Sequence, residues 1–243
     1  MTIHDIYTLL FRIWRRKRMA LFTALVDPRP GEVILDVGGY PATWTAQPQR
    51  ARRVDCLNVH PIEWDSPAFP GHCIETLLGD GCALDLKDDS YDIVFSNSVI
   101  EHVGDWERQG AFAAEARRVG KRLWIQTPAL ECPLEPHYLA PFVHWLPVAM
   151  RRRLLRWFTP WGWMTRPSRE EIDDTIAHTR LLSKKQMKTL FPDCRIITER
   201  LLWAIPKSYI ACRTGDNPAS RRTGLINQQA VRRSSAPCRG PDE

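Results

Sequence analysis

Between residues 33 and 126 the chain repeats one pattern: a short run of β-branched and aromatic residues, then a break rich in glycine, aspartate, asparagine or serine. Val33 to Tyr40 read V-I-L-D-V-G-G-Y. Val54 to Val59 (V-D-C-L-N-V), Tyr91 to Phe95 (Y-D-I-V-F) and Lys121 to Gln126 follow the same form, the last stopped by Thr127-Pro128. Continuous apolar runs suit strands buried on both faces, so the pattern predicts a parallel sheet rather than a half-solvated antiparallel one.

Helical periodicity fills the spaces. Residues 1 to 26 form a helical candidate with Ile6, Leu10, Ile13 and Leu21 on approximately one face and Arg12, Arg15, Arg16, Lys17 and Arg18 crowded around it. Asp105 is placed to cap a helix running to about Val119, with Arg117 and Arg118 suited to its carboxyl end. Ser183 suits the cap of a short helix ending before Pro192, and Arg195 to Glu199 and Tyr209 to Arg213 read as two closing strands. Residues 129 to 182 interrupt this succession with an insertion rich in proline, tryptophan and arginine. Residues 215 to 243, without an aromatic residue and dense in Arg, Ser, Pro, Gly and Gln, read as a disordered tail. The expected division is therefore a helical segment over 1–26, a domain over 27–214 that includes the insertion, and the tail.

Composition narrows the class. With 243 residues and 44% hydrophobic content the chain suits one domain with a sizeable core. Its longest apolar candidate near the amino terminus, Met19 to Val26, is far short of a membrane span, and the basic cluster follows apolar residues, the reverse of a secretory signal, which predicts a cytoplasmic protein. Seven cysteines at 56, 73, 82, 132, 194, 212 and 238 form no C-x-x-C pair, so free, mostly buried thiols and no metal site are expected. Of the net charge of +6 the tail carries +2, and most of the remaining excess is concentrated in residues 12–18 and 151–156. Clusters flanked by tryptophan and leucine suit an anionic membrane surface or an acidic acceptor at least as well as RNA, and no RNA-binding signature accompanies them.

Candidate chemistry starts at the first break. Asp36 lies near the carboxyl end of its strand, and Gly38 and Gly39 let the backbone approach a ligand that no side chain could clear. Asn58 stands twenty residues after Gly38, where a ribose-binding residue sits in nucleotide-binding α/β folds. Further on come Gly79-Asp80-Gly81, Ser96-Asn97-Ser98-Val99-Ile100-Glu101-His102-Val103 and Thr127-Pro128. The order of these elements resembles the class I S-adenosylmethionine-dependent methyltransferases, in particular the type 11 kind, which pairs an L-D-V-G-G turn with G-D, F-S-N-S-V-I-E-H-V and T-P. The resemblance covers about residues 10 to 214 and extends to Pro133-Leu134-Glu135-Pro136-His137, Pro141 to Pro147, Leu190 to Asp193 and Pro206-Lys207-Ser208-Tyr209.

It implies a Rossmann-like fold: a mostly parallel seven-stranded sheet with its last strand antiparallel, helices on both faces and a helical cap from the insertion. It implies S-adenosyl-L-methionine as cofactor, with its methionine end in the turn Asp36 to Gly39, its ribose at Asn58, its adenine amino group at Asp80 beside Gly81, and Ser96, Asn97 and Ser98 lining the floor. The amino-terminal helix is expected over this cleft. One departure stands out: where the usual turn is G-x-G-x-G, this chain has Tyr40 and Ala42 at the second and third glycines. Either the loop is displaced so that Gly39 makes the close approach, or cofactor affinity is reduced, or the site has decayed.

Methyl transfer asks for an acceptor held in line in a dry pocket, plus a base only if the acceptor must lose a proton. Candidate bases are Glu101 and His102, beyond the strand that starts at Tyr91, and Glu135, His137 and His144 in the insertion. His137 is the first choice, since it follows a strand end closely and titrates near neutrality. The expected acceptor is a small molecule, a glycan or a lipid-linked intermediate. Residues 144 to 164, with four tryptophans beside Arg151, Arg152, Arg153 and Arg156, are either an anionic-membrane docking segment or a cover for the acceptor pocket. Competing classes are a non-catalytic methyltransferase-like binder, a peripheral membrane or nucleic-acid adaptor, and a nicotinamide dehydrogenase, the last disfavoured by the missing G-x-G-x-x-G.

Overall fold

The computed structural model describes residues 3–46, 48–64, 71–135, 140–201 and 203–215, with side chains from Trp14 onward except that of Glu135. The expected tail, Cys238 and His137 lie outside these residues. In chain order the elements are α1 (Ile3–Val26), β1 (Val33–Val37), α2 (Pro41–Thr45), β2 (Arg53–Asn58), β3 (Ile74–Leu78), β4 (Tyr91–Asn97), α3 (Trp106–Val119) and β5 (Gly120–Pro128). The two-residue strands β6 (Leu134–Glu135) and β7 (Ala140–Pro141) open the insertion. Then follow α4 (Val148–Phe158), α5 (Pro160–Thr165), α6 (Arg169–Ala177), α7 (Lys184–Leu190), β8 (Arg195–Leu201) and β9 (Ile205–Arg213).

Seven strands form one sheet in the order β3-β2-β1-β4-β5-β9-β8. Pairs from β3 through β5 are parallel, and β9 runs antiparallel to both β5 and β8. The chain leaves β1 toward β2 on one side and returns to β4 on the other, so a crevice opens at the carboxyl ends of β1 and β4. β3 was not legible in the sequence. Its I-E-T-L-L buries only Ile74 fully, as an edge strand with one neighbour can.

Side chains alternate across the central strands and build a core on each face. Leu35, Val37, Leu123 and Ile125 meet Phe112, Ala116, Met187 and Phe191, so α3 and α7 cover that side. Ile34, Phe95 and Trp124 meet Met19, Phe22 and Trp44 on the other, under α1 and α2. Phe22 is 1% exposed and packs edge-on against Phe95 and Trp124, with ring centroids 5.0 and 5.5 Å away. Arg18, Met19, Phe22 and Val26 thus define the described buried face of α1. Leu21, expected on that face, is only partly buried, because the aromatic cluster sets the rotation of the helix. The side chains of Ile6, Leu10 and Ile13 lie outside the described set.

Local signals hold the remaining helices. The Asp105 carboxylate accepts from the Arg108 N–H at the start of α3, and Ser183 and Gln186 form a reciprocal capping box on α7. In the insertion, Pro160 does not simply end a helix. Thr159 breaks it, accepting from the Gly162 N–H, and Pro160 opens α5 at a position where its missing N–H costs nothing. Gly162 permits the tight turn, since an added Cβ would fall 2.1 Å from the Leu155 carbonyl oxygen. Ala140, Val143, Leu155 and Ile172 give the insertion a small core of its own. The six described cysteines are free, three of them buried.

Candidate active site

The crevice at the strand ends is a cleft of about 510 Å³, within the range of small-molecule sites. At the β1 end it is lined by Asp36, Gly38, Gly39, Tyr40 and Ala42, on its floor by Phe95, Asn97, Ser98 and Gln126, and at the β9 end by Leu201, Lys207 and Ser208. Trp14, Arg15 and Arg18 of α1 close one side, so the expected position of that helix over the cleft holds. A larger cavity of about 790 Å³ lies on the outer side of α1, against Phe22, Ala51, Val54 and His72. It has no glycine turn and includes none of the β4 or β5 ends.

Backbone sterics shape the turn. Gly38 has φ +77°, and an added Cβ would fall 2.5 Å from Val99. Gly39 lies against the Asp36 carboxylate, with a Cβ position 1.7 Å from Oδ2. The Gly38 N–H donates to the Leu57 carbonyl at 2.7 Å, and the Asn58 side-chain amide donates to the Gly39 carbonyl at 2.6 Å, so the end of β2 holds the loop in place. Tyr40 is 58% exposed and leaves the cleft its volume.

Asp36 is the most unusual group here. It is 1% exposed; its Oδ2 accepts from the Trp44 indole N–H at 2.7 Å, while Oδ1 has no partner among the described residues. Burial pushes its pKa up to about 7, with the indole hydrogen bond pulling partly back. On the floor, Ser98 holds a left-handed φ of +60°, its N–H donating to the Gln126 carbonyl and its hydroxyl to the Gln126 side chain, each at 3.0 Å. A strained non-glycine residue at a strand end is typical of a functional position.

Arg18 ties the parts together. It is 8% exposed and donates to Asn97 Oδ1 at 2.6 Å, Gln126 Oε1 at 2.8 Å and Glu199 Oε2 at 2.8 Å, latching α1 across β4, β5 and β8. Burial opposes the Glu199 charge, but the guanidinium and the Ser208 hydroxyl hold its pKa below the usual carboxylate range. At the far end, the Lys207 ammonium sits 3.9 Å from the Trp14 ring centroid.

Of the residues read as a site from the sequence, Asp36, Gly38, Gly39, Asn97 and Ser98 are brought together at the cleft. Ser96 is not: it is fully buried, and its hydroxyl donates to the Val37 carbonyl, bracing β4 against β1. Asn58 is spent on the turn. Asp80 pairs with Arg108 at 2.8 Å and accepts from the Cys82 N–H, and Gly81 packs against Val37 and Phe112. Glu101 is fully buried and accepts from the Thr127 hydroxyl at 2.9 Å, while His102 is exposed and its Nδ1 lies 3.1 Å from the His178 carbonyl. Neither lines the cleft. His144 lies 3.0 Å from the Leu130 carbonyl, packed and away from the turn. Trp14, Arg18, Trp44, Gln126 and Lys207 were missed as site residues. Only Arg18 carried a signal, an arginine at a helix position otherwise apolar, and it was hidden in the basic cluster.

Residues 38–123 match a family model described as a methyltransferase domain, a span running from the glycine turn into β5. That stretch, with the strand order above, is similar to a class I methyltransferase domain, and S-adenosyl-L-methionine is the cofactor such domains use. The residues present fit it, for the glycine turn leaves a cradle that side chains would fill and Asp36 keeps a buried oxygen without a partner.

Similar solved structures include the magnesium protoporphyrin IX methyltransferase of Synechocystis PCC 6803 (14% identity, 88% of this chain and 89% of that one, TM-score 0.49). Others are the PH0226 protein of Pyrococcus horikoshii OT3 (14%, 83% and 89%, 0.48) and a putative sarcosine dimethylglycine methyltransferase of Galdieria sulphuraria (19%, 79% and 61%, 0.47). No curated protein matches the sequence.

Proposed function

We propose that the protein transfers a methyl group from S-adenosyl-L-methionine to an acceptor held in the same cleft, the acceptor being a small molecule, a glycan or a lipid-linked intermediate. The observation that carries this is the joint geometry of the glycine turn, the unpartnered oxygen of buried Asp36 and the strained Ser98 around one cavity. The cofactor, when bound, supplies a methyl group already activated on a sulfonium. The chain's own part is to orient and to exclude water: α1 roofs the strand ends, and Arg18 fixes the roof to the floor through Asn97 and Gln126.

Glu101 and His102 face away from the cleft and do not serve as the base in this reading. His137 keeps that role for an acceptor that must lose a proton. Its replacement by alanine is expected to slow turnover roughly a hundredfold with cofactor affinity unchanged; an unchanged rate would remove it from the mechanism.

Calorimetry tests the reading itself. S-adenosylhomocysteine should bind and NAD should not, and Ala42→Trp, which fills the cleft from an exposed position on α2, should abolish binding without lowering the melting temperature. Undiminished binding in Ala42→Trp would move the cofactor elsewhere. Cofactor binding without methyl transfer to any acceptor class would leave a non-catalytic binder.

A second reading concerns where the protein works. Trp157, Phe158 and Trp163 are 64, 70 and 63% exposed, and none of Trp145, Trp157, Trp161 or Trp163 lines the cleft. Arg156 stacks over Trp157, and exposed Arg152 and Arg153 flank them. Cations beside exposed indoles are complementary to an anionic bilayer surface, which favours peripheral membrane docking by α4 and α5 over a pocket cover. No helix among the described residues is long and apolar enough to cross a membrane.

A further inference from the structure

The two ends of the cleft differ in charge. At the β1 end the ionisable group buried in the wall, among the described residues, is Asp36, whose pKa is raised by burial. The β9 end lies three strand spacings away, roughly 14 Å at the usual separation. There the lining brings Arg18 and Lys207 together. Arg18 is spent, paired with Glu199, whose Oε2 also takes the Ser208 hydroxyl. Lys207 makes no direct ion pair among the described residues, and Glu199 acts on it only at longer range. The Lys207 ammonium is held by the face of Trp14, which steadies a cation without neutralising it. Around these charges the wall is apolar, built by Pro128, Cys132, Leu134 and Leu201.

We propose that the β9 end of the cleft is the acceptor subsite and takes an anionic head, phosphate or carboxylate, carried on an apolar chain, with Lys207 binding the head and Leu134 and Leu201 packing the chain. This deepens the methyltransferase reading and rests on it. The half-buried Lys207 ammonium touches no carboxylate among the described residues, and an anion arriving there supplies a direct partner; burial pulls its pKa down to about 8, the Glu199 carboxylate pulls partly back, and Arg18 and Lys17 push it down further. A neutral sugar or an aliphatic amine would leave the Lys207 ammonium without a direct counter-ion. The same end remains open when the β1 end is filled, so cofactor and acceptor occupy one cavity side by side.

The test is calorimetry on the full chain saturated with S-adenosylhomocysteine, titrated with monomeric octyl phosphate, octanoate, octyl glucoside and inorganic phosphate. Octyl phosphate or octanoate should bind at least about tenfold more tightly than either octyl glucoside or inorganic phosphate, the scale of one charge-assisted contact added to a buried chain. The better of the two anions identifies the head. Lys207→Met should weaken that binding by about tenfold and Lys207→Arg should keep it, because the guanidinium preserves both the charge and the stacking on Trp14.

Equal binding of octyl glucoside overturns the anionic head, equal binding of inorganic phosphate overturns the apolar chain, and wild-type affinity in Lys207→Met overturns the assignment of Lys207. Failure of S-adenosylhomocysteine to bind while octyl phosphate still binds, lost in Lys207→Met, would sink the cofactor reading and leave the anionic subsite standing.

Discussion

The sheet and the insertion are held by different means. In the sheet, Ile34, Leu35, Ile93, Val94, Trp124 and Ile125 are all 0 or 1% exposed, and the strands that carry them, β1, β4 and β5, have neighbours on both sides and helices on both faces. The insertion has a core of four buried residues and turns Trp157, Phe158 and Trp163 to solvent. A fully buried aliphatic or aromatic side chain contributes about 2 kcal/mol of transfer free energy, so aromatic surface left exposed on a small unit is stability forgone. In a monomeric protein such surface marks a place where something else binds. The sheet therefore carries the fold and the cleft, and the insertion carries the exposed aromatic surface on which the proposed docking rests.

The sharpest break in that comparison comes from the sheet. Gly39→Val would drive a Cβ into the Asp36 carboxylate, with no flexible end to yield, and should destabilise the protein by about 3 kcal/mol or more, read as a lower urea midpoint. A change within about 0.5 kcal/mol would mean that the turn is loosely held.

Next in size is the pH dependence from Asp36. Its folded pKa of about 7 lies above the ordinary 3.8, so between these values the folded chain keeps a proton that the unfolded chain has lost. Stability from this group is present at acid pH and falls as pH rises from about 4 to about 7, by at most roughly 4 kcal/mol. Urea unfolding of the wild type and Asp36→Asn across that range checks it. The wild type should lose stability relative to the variant as pH rises, and parallel curves would show that Asp36 ionises normally.

The smallest effect on stability belongs to the insertion. Replacing Arg151, Arg152 and Arg153 together by alanine should change the melting temperature little, since the one ion pair they make among the described residues, Arg152 with Asp173, is exposed. The same variant should lose co-sedimentation with anionic vesicles at low salt. Binding to neutral vesicles as strong as to anionic ones would point to the indoles alone, and no binding by the wild type would remove the membrane from the account.

How much of this was legible in the sequence follows the same division. β1, β2, β4 and β5 announced themselves as unbroken apolar runs because both their faces are buried, and the Asp105 and Ser183 caps act over three residues. β3 was hidden because an edge strand needs no continuous apolar run. The glycine turn was found because steric demands are local. Arg18 and Lys207 were not, for their partners lie across the fold: Glu199 is 181 positions from Arg18, and Lys207 meets Trp14 only when β9 pairs with β5 under α1. Ser96 and Glu101 were read as site residues from their place in a motif, and their side chains turned out to brace β4 and β5 instead.

The central claim, that one cleft at the strand ends is the cofactor site, is tested most directly by hydrogen exchange with and without S-adenosylhomocysteine. Protection should appear in peptides covering residues 36–43 and 96–99, and the peptides of 148–165 should be unchanged. Protection confined to the insertion, or none at the glycine turn under saturating ligand, would contradict it.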